Sequence, residues 1–121
     1  MAAEHTLTID QGSAFTQKFV KVESDCVTPV VLDGYTGQMM IRRSATARGA
    51  PIYDSDDYPN SIIIDGPEGR VTVVISDDVT QTFPAPFVGY YDIELNDGSG
   101  VISRLVQGRV TITPNVTRED R

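Results

Sequence analysis

The chain has 121 residues, enough for one domain whose core holds without covalent staples. Seventeen acidic against ten basic residues leave a formal net charge of −7. That balance disfavours nucleic acid as a partner, because phosphate binding needs a basic surface, and it disfavours a polybasic membrane contact for the same reason. One cysteine rules out an intrachain disulfide, and one histidine rules out a histidine-dependent triad or a multi-histidine metal site.

The N-terminus, Met1 to His5, has neither a basic stretch nor an apolar run, so no secretory signal is expected. No apolar stretch approaches the roughly 20 residues that span a bilayer. Residues 6–10 (TLTID) alternate apolar and polar, the pattern of a half-buried strand. Gln11-Gly12-Ser13 interrupts them, and Ala14 to Val22 resumes an extended pattern on Phe15, Phe19 and Val20. The apolar phase slips once there, which predicts a bulge or a strand that changes sheets. Val27 to Leu32 is a further β-branched run, and Pro29 places it at an edge or a bend.

After the Asp33-Gly34 turn, Tyr35 to Arg43 reads as a strand with Met39 and Ile41 on one face and Gln38, Met40 and Arg42 on the other. Ser44 to Asn60 is the least regular stretch and is expected to be a long surface loop or a poorly formed edge segment. Ile62–Ile64 and Val71–Ile75 flank a Gly-containing connection and form a hairpin, with Val71, Val73 and Ile75 inward. Ser76 to Thr80 suits one capped helical turn, which Pro84 and Pro86 prevent from growing.

Tyr90 to Leu95 alternates strictly, with Tyr91, Ile93 and Leu95 on one face and Tyr90, Asp92 and Glu94 on the other. Asn96–Gly100 turns the chain into a long last strand, Val101 to Thr113. Arg104, Val106, Gly108, Val110 and Ile112 share a parity there, and Leu105 falls out of it, so a bulge or a covered outer face is expected at Leu105. Pro114 ends the strand.

Seven or eight short strands at this spacing, with no strand–helix alternation, describe an all-β antiparallel sandwich. The chain reads as a single domain over residues 1–121, with 1–5 and 115–121 as flexible arms. No catalytic, metal or cofactor constellation stands out. His5 reads as an exposed strand residue, and Cys26, beside an apolar run, as a buried inert thiol. Asp92 and Glu94 share a strand face and suit the paired carboxylates of glycoside hydrolysis, but the apolar residues on the opposite face point this pair to solvent. Asp54, Asp56 and Asp57 lack the glutamate-terminated loop of a calcium site. Tyr53, Asp54, Tyr58 and Tyr90 are the candidate partner-contact residues.

Several segments together resemble a known family: Ile9-Asp10-Gln11-Gly12 with Phe15, then Leu32-Asp33-Gly34-Tyr35-Thr36-Gly37-Gln38-Met39-Met40-Ile41-Arg42, Ile64-Asp65-Gly66-Pro67-Glu68-Gly69-Arg70-Val71, Tyr91-Asp92-Ile93-Glu94-Leu95 and Arg104-Leu105-Val106-Gln107-Gly108-Arg109-Val110. Their order resembles small tail-module proteins of tailed bacteriophages and prophages, and the immunoglobulin-like N-terminal domain of phage upper-baseplate proteins. The resemblance runs from about Thr6 to Val116 and rests on turns and strands. It implies an immunoglobulin-like sandwich in a non-enzymatic virion subunit of the tail, baseplate or fibre adaptor, made in the host cytoplasm. It further implies other phage structural proteins and copies of itself in an oligomer as partners, and no cofactor. A carbohydrate- or receptor-binding sandwich is the alternative, and it requires Tyr53, Tyr58 and Tyr90 exposed together in one concave patch.

Overall fold

The computed structural model describes residues 3–44, 46 and 48–117. In chain order its strands are β1 (Ala3–Glu4), β2 (Leu7–Asp10), β3 (Phe15–Val20), β4 (Thr36–Arg42), β5 (Tyr53–Asp54), β6 (Ile62–Asp65), β7 (Arg70–Ile75), β8 (Phe87–Asn96) and β9 (Ile102–Thr113). A 3-10 turn, Ser55–Asp57, and a single helical turn, α1 (Asp77–Thr80), complete the elements. One sheet runs β1-β9-β8-β4-β5, with β2 continuing along β9 beyond β1, and the other runs β3-β7-β6. The sandwich is antiparallel except where β1 and β2 lie parallel to β9.

The alternation along each strand decides the core. Leu7 and Ile9, Met39 and Ile41, Val71, Val73 and Ile75, Tyr91, Ile93 and Leu95, and Val110 and Ile112 are all buried between the sheets. Each such side chain contributes about 1.5–3 kcal/mol relative to exposure, so the two inner faces supply the main driving force.

The expected slip in the Ala14–Val22 strand occurs one element earlier. β3 pairs with β7 without interruption, from Phe15 opposite Ile75 to Val20 opposite Arg70, and Val20 faces solvent. The chain changes sheets between β2 and β3. Gly12 takes a left-handed φ of 84° there, and the Ser13 N–H bonds the Asp10 carbonyl at 3.1 Å. Thr80 pins this crossing: its buried hydroxyl donates to the Ser13 carbonyl at 2.9 Å and accepts the Gly12 N–H at 3.1 Å.

The strand expected over Val27–Leu32 does not form. The Asp25 carboxylate takes the N–H groups of Val27 and Thr28 at 2.9 and 2.8 Å and the Thr28 hydroxyl at 2.6 Å, a local turn that competes with sheet pairing. Lys21 and this segment instead strap the β6–β7 turn from either end, the Lys21 N–H donating to the Gly69 carbonyl and the Leu32 N–H to the Gly66 carbonyl, each at 2.8 Å. Cys26 sits at the tip of the Asp25 turn with φ 61° and is exposed, so the buried thiol expected from its neighbours is corrected.

The N-terminal residues expected as a loose arm are tied down in part. Ala3 and Glu4 pair with Val106 and Gln107, and the His5 N–H bonds the Gln107 carbonyl at 3.0 Å, because the exposed edge of β9 offers unpaired backbone groups. Met1 and Ala2 lie outside the described residues. At the other end, the Asn115 N–H donates to the Gln11 side-chain oxygen at 3.0 Å, while residues 118–121 of the expected C-terminal arm lie outside the described residues.

Candidate functional site

The inner face of the β9-β8-β4 sheet is filled by the core, and its outer face carries the polar half of each alternation. Register places these side chains in rows across the strands. Arg42, Tyr90 and Arg109 form one row. Met40, Asp92, Gln107 and Glu4 form the next, and Gln38, Glu94 and Arg104 the third. Along the strands the same residues form columns, with acids on β8 and bases on β9. All of them except Gln38, together with His5, Thr6 and Ser44, line an open trough of about 660 Å³.

A bulge builds part of this face. Ile93 pairs with Val106, and the next pair is Glu94 with Arg104, so Leu105 is the extra residue, as its out-of-phase position predicts. The extra residue also reverses the parity of Arg104. Without it, Arg104 would share the inward side of Val106; with it, Arg104 stands outside opposite Glu94. There its Nε lies 3.3 Å from Asp92 Oδ2, and its Nη1 donates to Gln107 Oε1 at 2.7 Å. Arg109 lies over the Tyr90 ring at 5.9 Å. Arg42 donates to the Gly49 carbonyl at 2.7 Å, which fixes its guanidinium at the rim.

Four residues stand out in the sequence as contact candidates, and the structure separates them. Tyr90 is on the trough, partly exposed at the centre of its row. Tyr53 is only 2% exposed, so it is corrected from contact residue to core residue. Strand β5 pairs with β4 and turns the Tyr53 ring inward, stacked on Tyr58 at 5.6 Å and edge-on to Phe83 at 5.9 Å. Burial raises the Tyr53 phenol above its ordinary pKa against the opposing effect of the nearby Ser61 hydroxyl, and among the described residues the Tyr53 hydroxyl makes no well-formed hydrogen bond. Asp54 accepts from Gln38 Nε2 and from the Asp56 N–H, both at 3.0 Å, and so caps the 3-10 turn. Tyr58 remains at the surface over Tyr53, and neither borders the trough. The three tyrosines therefore do not meet in one concave patch.

The residues that sequence reasoning missed are His5 and Glu4. They look remote from Asp92 and Glu94 in the chain, yet the parallel β1–β9 pairing brings them to the same trough. The nearest signal was the alternating run that follows them, which shows a strand but not its neighbour. Asp92 and Glu94 do share the outer face, as their spacing predicts. Among the described residues, no group of three or more His, Cys, Asp or Glu side chains is placed to hold a metal ion.

No family model matches the sequence, and no curated protein matches it significantly. Solved structures do match in shape. The extracellular domain of the voltage-gated sodium channel beta4 subunit aligns with a TM-score of 0.52 at 10% identity, over 96% of this chain and 96% of that one. A chicken T-cell receptor chain aligns with a TM-score of 0.53 at 11% identity, over 98% of this chain and 57% of that one. The fold is that of an immunoglobulin-like domain. Antibody-type members of this architecture clamp their two sheets with a disulfide. In this immunoglobulin-like domain Cys26 lies in an exposed turn, and the sheets meet through apolar packing without a disulfide.

Proposed function

We propose that this immunoglobulin-like domain is a non-enzymatic assembly module that docks other proteins through the outer face of β4, β8 and β9. One observation carries the reading: the trough is open, and its floor holds Tyr90 and Met40 among three arginines, Arg42, Arg104 and Arg109. Tyrosine, methionine and arginine are the residue types that interfaces favour over ordinary surface. They offer large contact area and directed hydrogen bonds without catalytic geometry. Each strand's inner face is fully used by the core, so the trough can take a partner without disturbing the fold.

The setting we propose is a tailed-phage or prophage particle, with the chain as a tail, baseplate or fibre-adaptor subunit. The turn-and-strand segments from Ile9 to Val110 support this setting, and a sandwich without a disulfide suits a protein that folds in a reducing cytoplasm. The structural neighbours speak for the fold alone. The sodium channel neighbour is described as a parallel homodimer with a role in cell–cell adhesion, which is an instance of the fold used for docking between like domains.

Mass spectrometry of purified particles from the strain that carries the gene tests the setting. The chain is expected at a fixed ratio to the tail proteins. Particles that assemble and infect normally without it contradict the reading. On the docking face, Tyr90→Ala with Arg109→Ala is expected to remove the chain from particles while its melting temperature stays within a few degrees.

A further inference from the structure

We infer that the occupant of the β4-β8-β9 face is a second copy of this chain, related by a two-fold axis that runs parallel to the strands between β8 and β9. This deepens the docking reading and rests on it. The argument begins with charge. The chain carries −7 overall, yet the charged trough residues balance, with Glu4, Asp92 and Glu94 against Arg42, Arg104 and Arg109. The excess negative charge therefore lies elsewhere on the surface. Two like-charged copies repel one another over most approaches, and on this balanced face that repulsion is absent.

The charges are also arranged in columns. Asp92 and Glu94 stand on β8, and Arg104 and Arg109 stand on the adjoining β9. An isologous contact places each residue against its counterpart's neighbour across the axis. An axis between these two strands and parallel to them sets the β8 column of one copy over the β9 column of the other. Acid then meets base twice, once in each direction. An axis perpendicular to the strands and crossing β8 would instead set its acids against themselves. The parallel arrangement is the one the columns favour.

Size and shape agree. The six strands of this sheet, between 2 and 12 residues long, give a face on the order of 600 Å² at about 3.3 Å per residue and about 4.8 Å between strands. That is about three quarters of the roughly 800 Å² per partner of a standard stable interface. A volume of about 660 Å³ spread over such a face makes a shallow trough, which long arginine side chains from a facing copy fill. Arg104 is half exposed even while it contacts Asp92, so its guanidinium has donors left for a facing carboxylate.

Sedimentation equilibrium on the full chain and three variants tests this. The wild type is expected to dimerise. D92R/E94R moves the net charge from −7 to −3, which lowers general repulsion, and is nevertheless expected to weaken the dimer by about tenfold or more. R104E/R109E is expected to do the same. The quadruple variant D92R/E94R/R104E/R109E keeps the net charge and exchanges the columns, so it is expected to dimerise again with itself but not with the wild type. That last outcome also guards against misfolding of the double variants. A monomeric wild type, or a dimer indifferent to the double reversals, overturns the inference. Co-association of the quadruple variant with the wild type overturns the axis. If the wild type is monomeric while R104E/R109E still fails to enter particles, the docking reading stands without the second copy. If both the dimer and the particle effect are missing, the docking reading falls as well.

Discussion

The hydroxyl of Tyr91 on β8 donates a 2.6 Å hydrogen bond to the carbonyl of His5, reaching over Gly108 on the intervening β9. This bond fastens the N-terminal strand pair to the centre of the sheet. Tyr91 is buried, and burial lifts its phenol to about 12. In the unfolded chain the same group titrates near the ordinary 10. Because the folded value is the higher one, this contribution is complete below pH 10 and is lost as pH climbs towards 12. The shift corresponds to on the order of 3 kcal/mol. Tyr91→Phe is therefore expected to cost about 1 kcal/mol at neutral pH. It is also expected to flatten the fall in stability above pH 10, as read from urea midpoints between pH 8 and 12.

Gly108 leaves the room for that bond. A Cβ at this position would meet the backbone of His5, and β1 and β2 cannot shift sideways without losing their parallel register with β9. Gly108→Ala is expected to cost about 1–3 kcal/mol, the usual range for overpacking. Amide exchange at His5, whose N–H bonds the Gln107 carbonyl, should accelerate more than exchange on β8.

Much of this architecture was legible in the sequence because its strands obey a strict two-residue period. Tyr91, Ile93 and Leu95 showed the inner face of β8 directly, and Leu105 announced the bulge because two adjacent apolar residues cannot share one face of a regular strand. What was not legible depends on partners distant in the chain. Tyr53 lies in a stretch with no alternation, and its burial comes from a two-residue pairing with Met40 and Ile41 that no local pattern encodes. Val27–Leu32 has strand-like composition, but the hydrogen bonds of Asp25 divert its start into a turn. Of the candidate contact set only Tyr90 reaches the trough, while Glu4 and His5 join it through a parallel pairing that local periodicity does not specify.

The buried Tyr53 hydroxyl, which has only a poorly formed contact with Ser61, gives a prediction of the opposite sign from most core changes. A buried polar group that is not well hydrogen-bonded costs about 1–3 kcal/mol, and removing it while keeping the ring relieves that cost. Tyr53→Phe is expected to leave stability unchanged or raise it by about 1 kcal/mol, measured by thermal unfolding.

Thr80 behaves in the reverse way. Its hydroxyl is fully buried and joins α1 to the crossing between β2 and β3 through Ser13 and Gly12. Thr80→Val keeps the shape but strands the Gly12 N–H and the Ser13 carbonyl. A loss of about 1–3 kcal/mol is expected, with faster amide exchange at Gly12.

The central claim is that contacts are made through the outer face of β8 and β9 rather than through the Tyr53–Tyr58 loop. A photo-reactive phenylalanine analogue placed at position 90, and separately at position 58, tests it in assembled particles or in the purified chain at high concentration. Cross-links from position 90 to a protein partner, with few from position 58, are the predicted result. Cross-links from position 58 with none from position 90 would contradict the account.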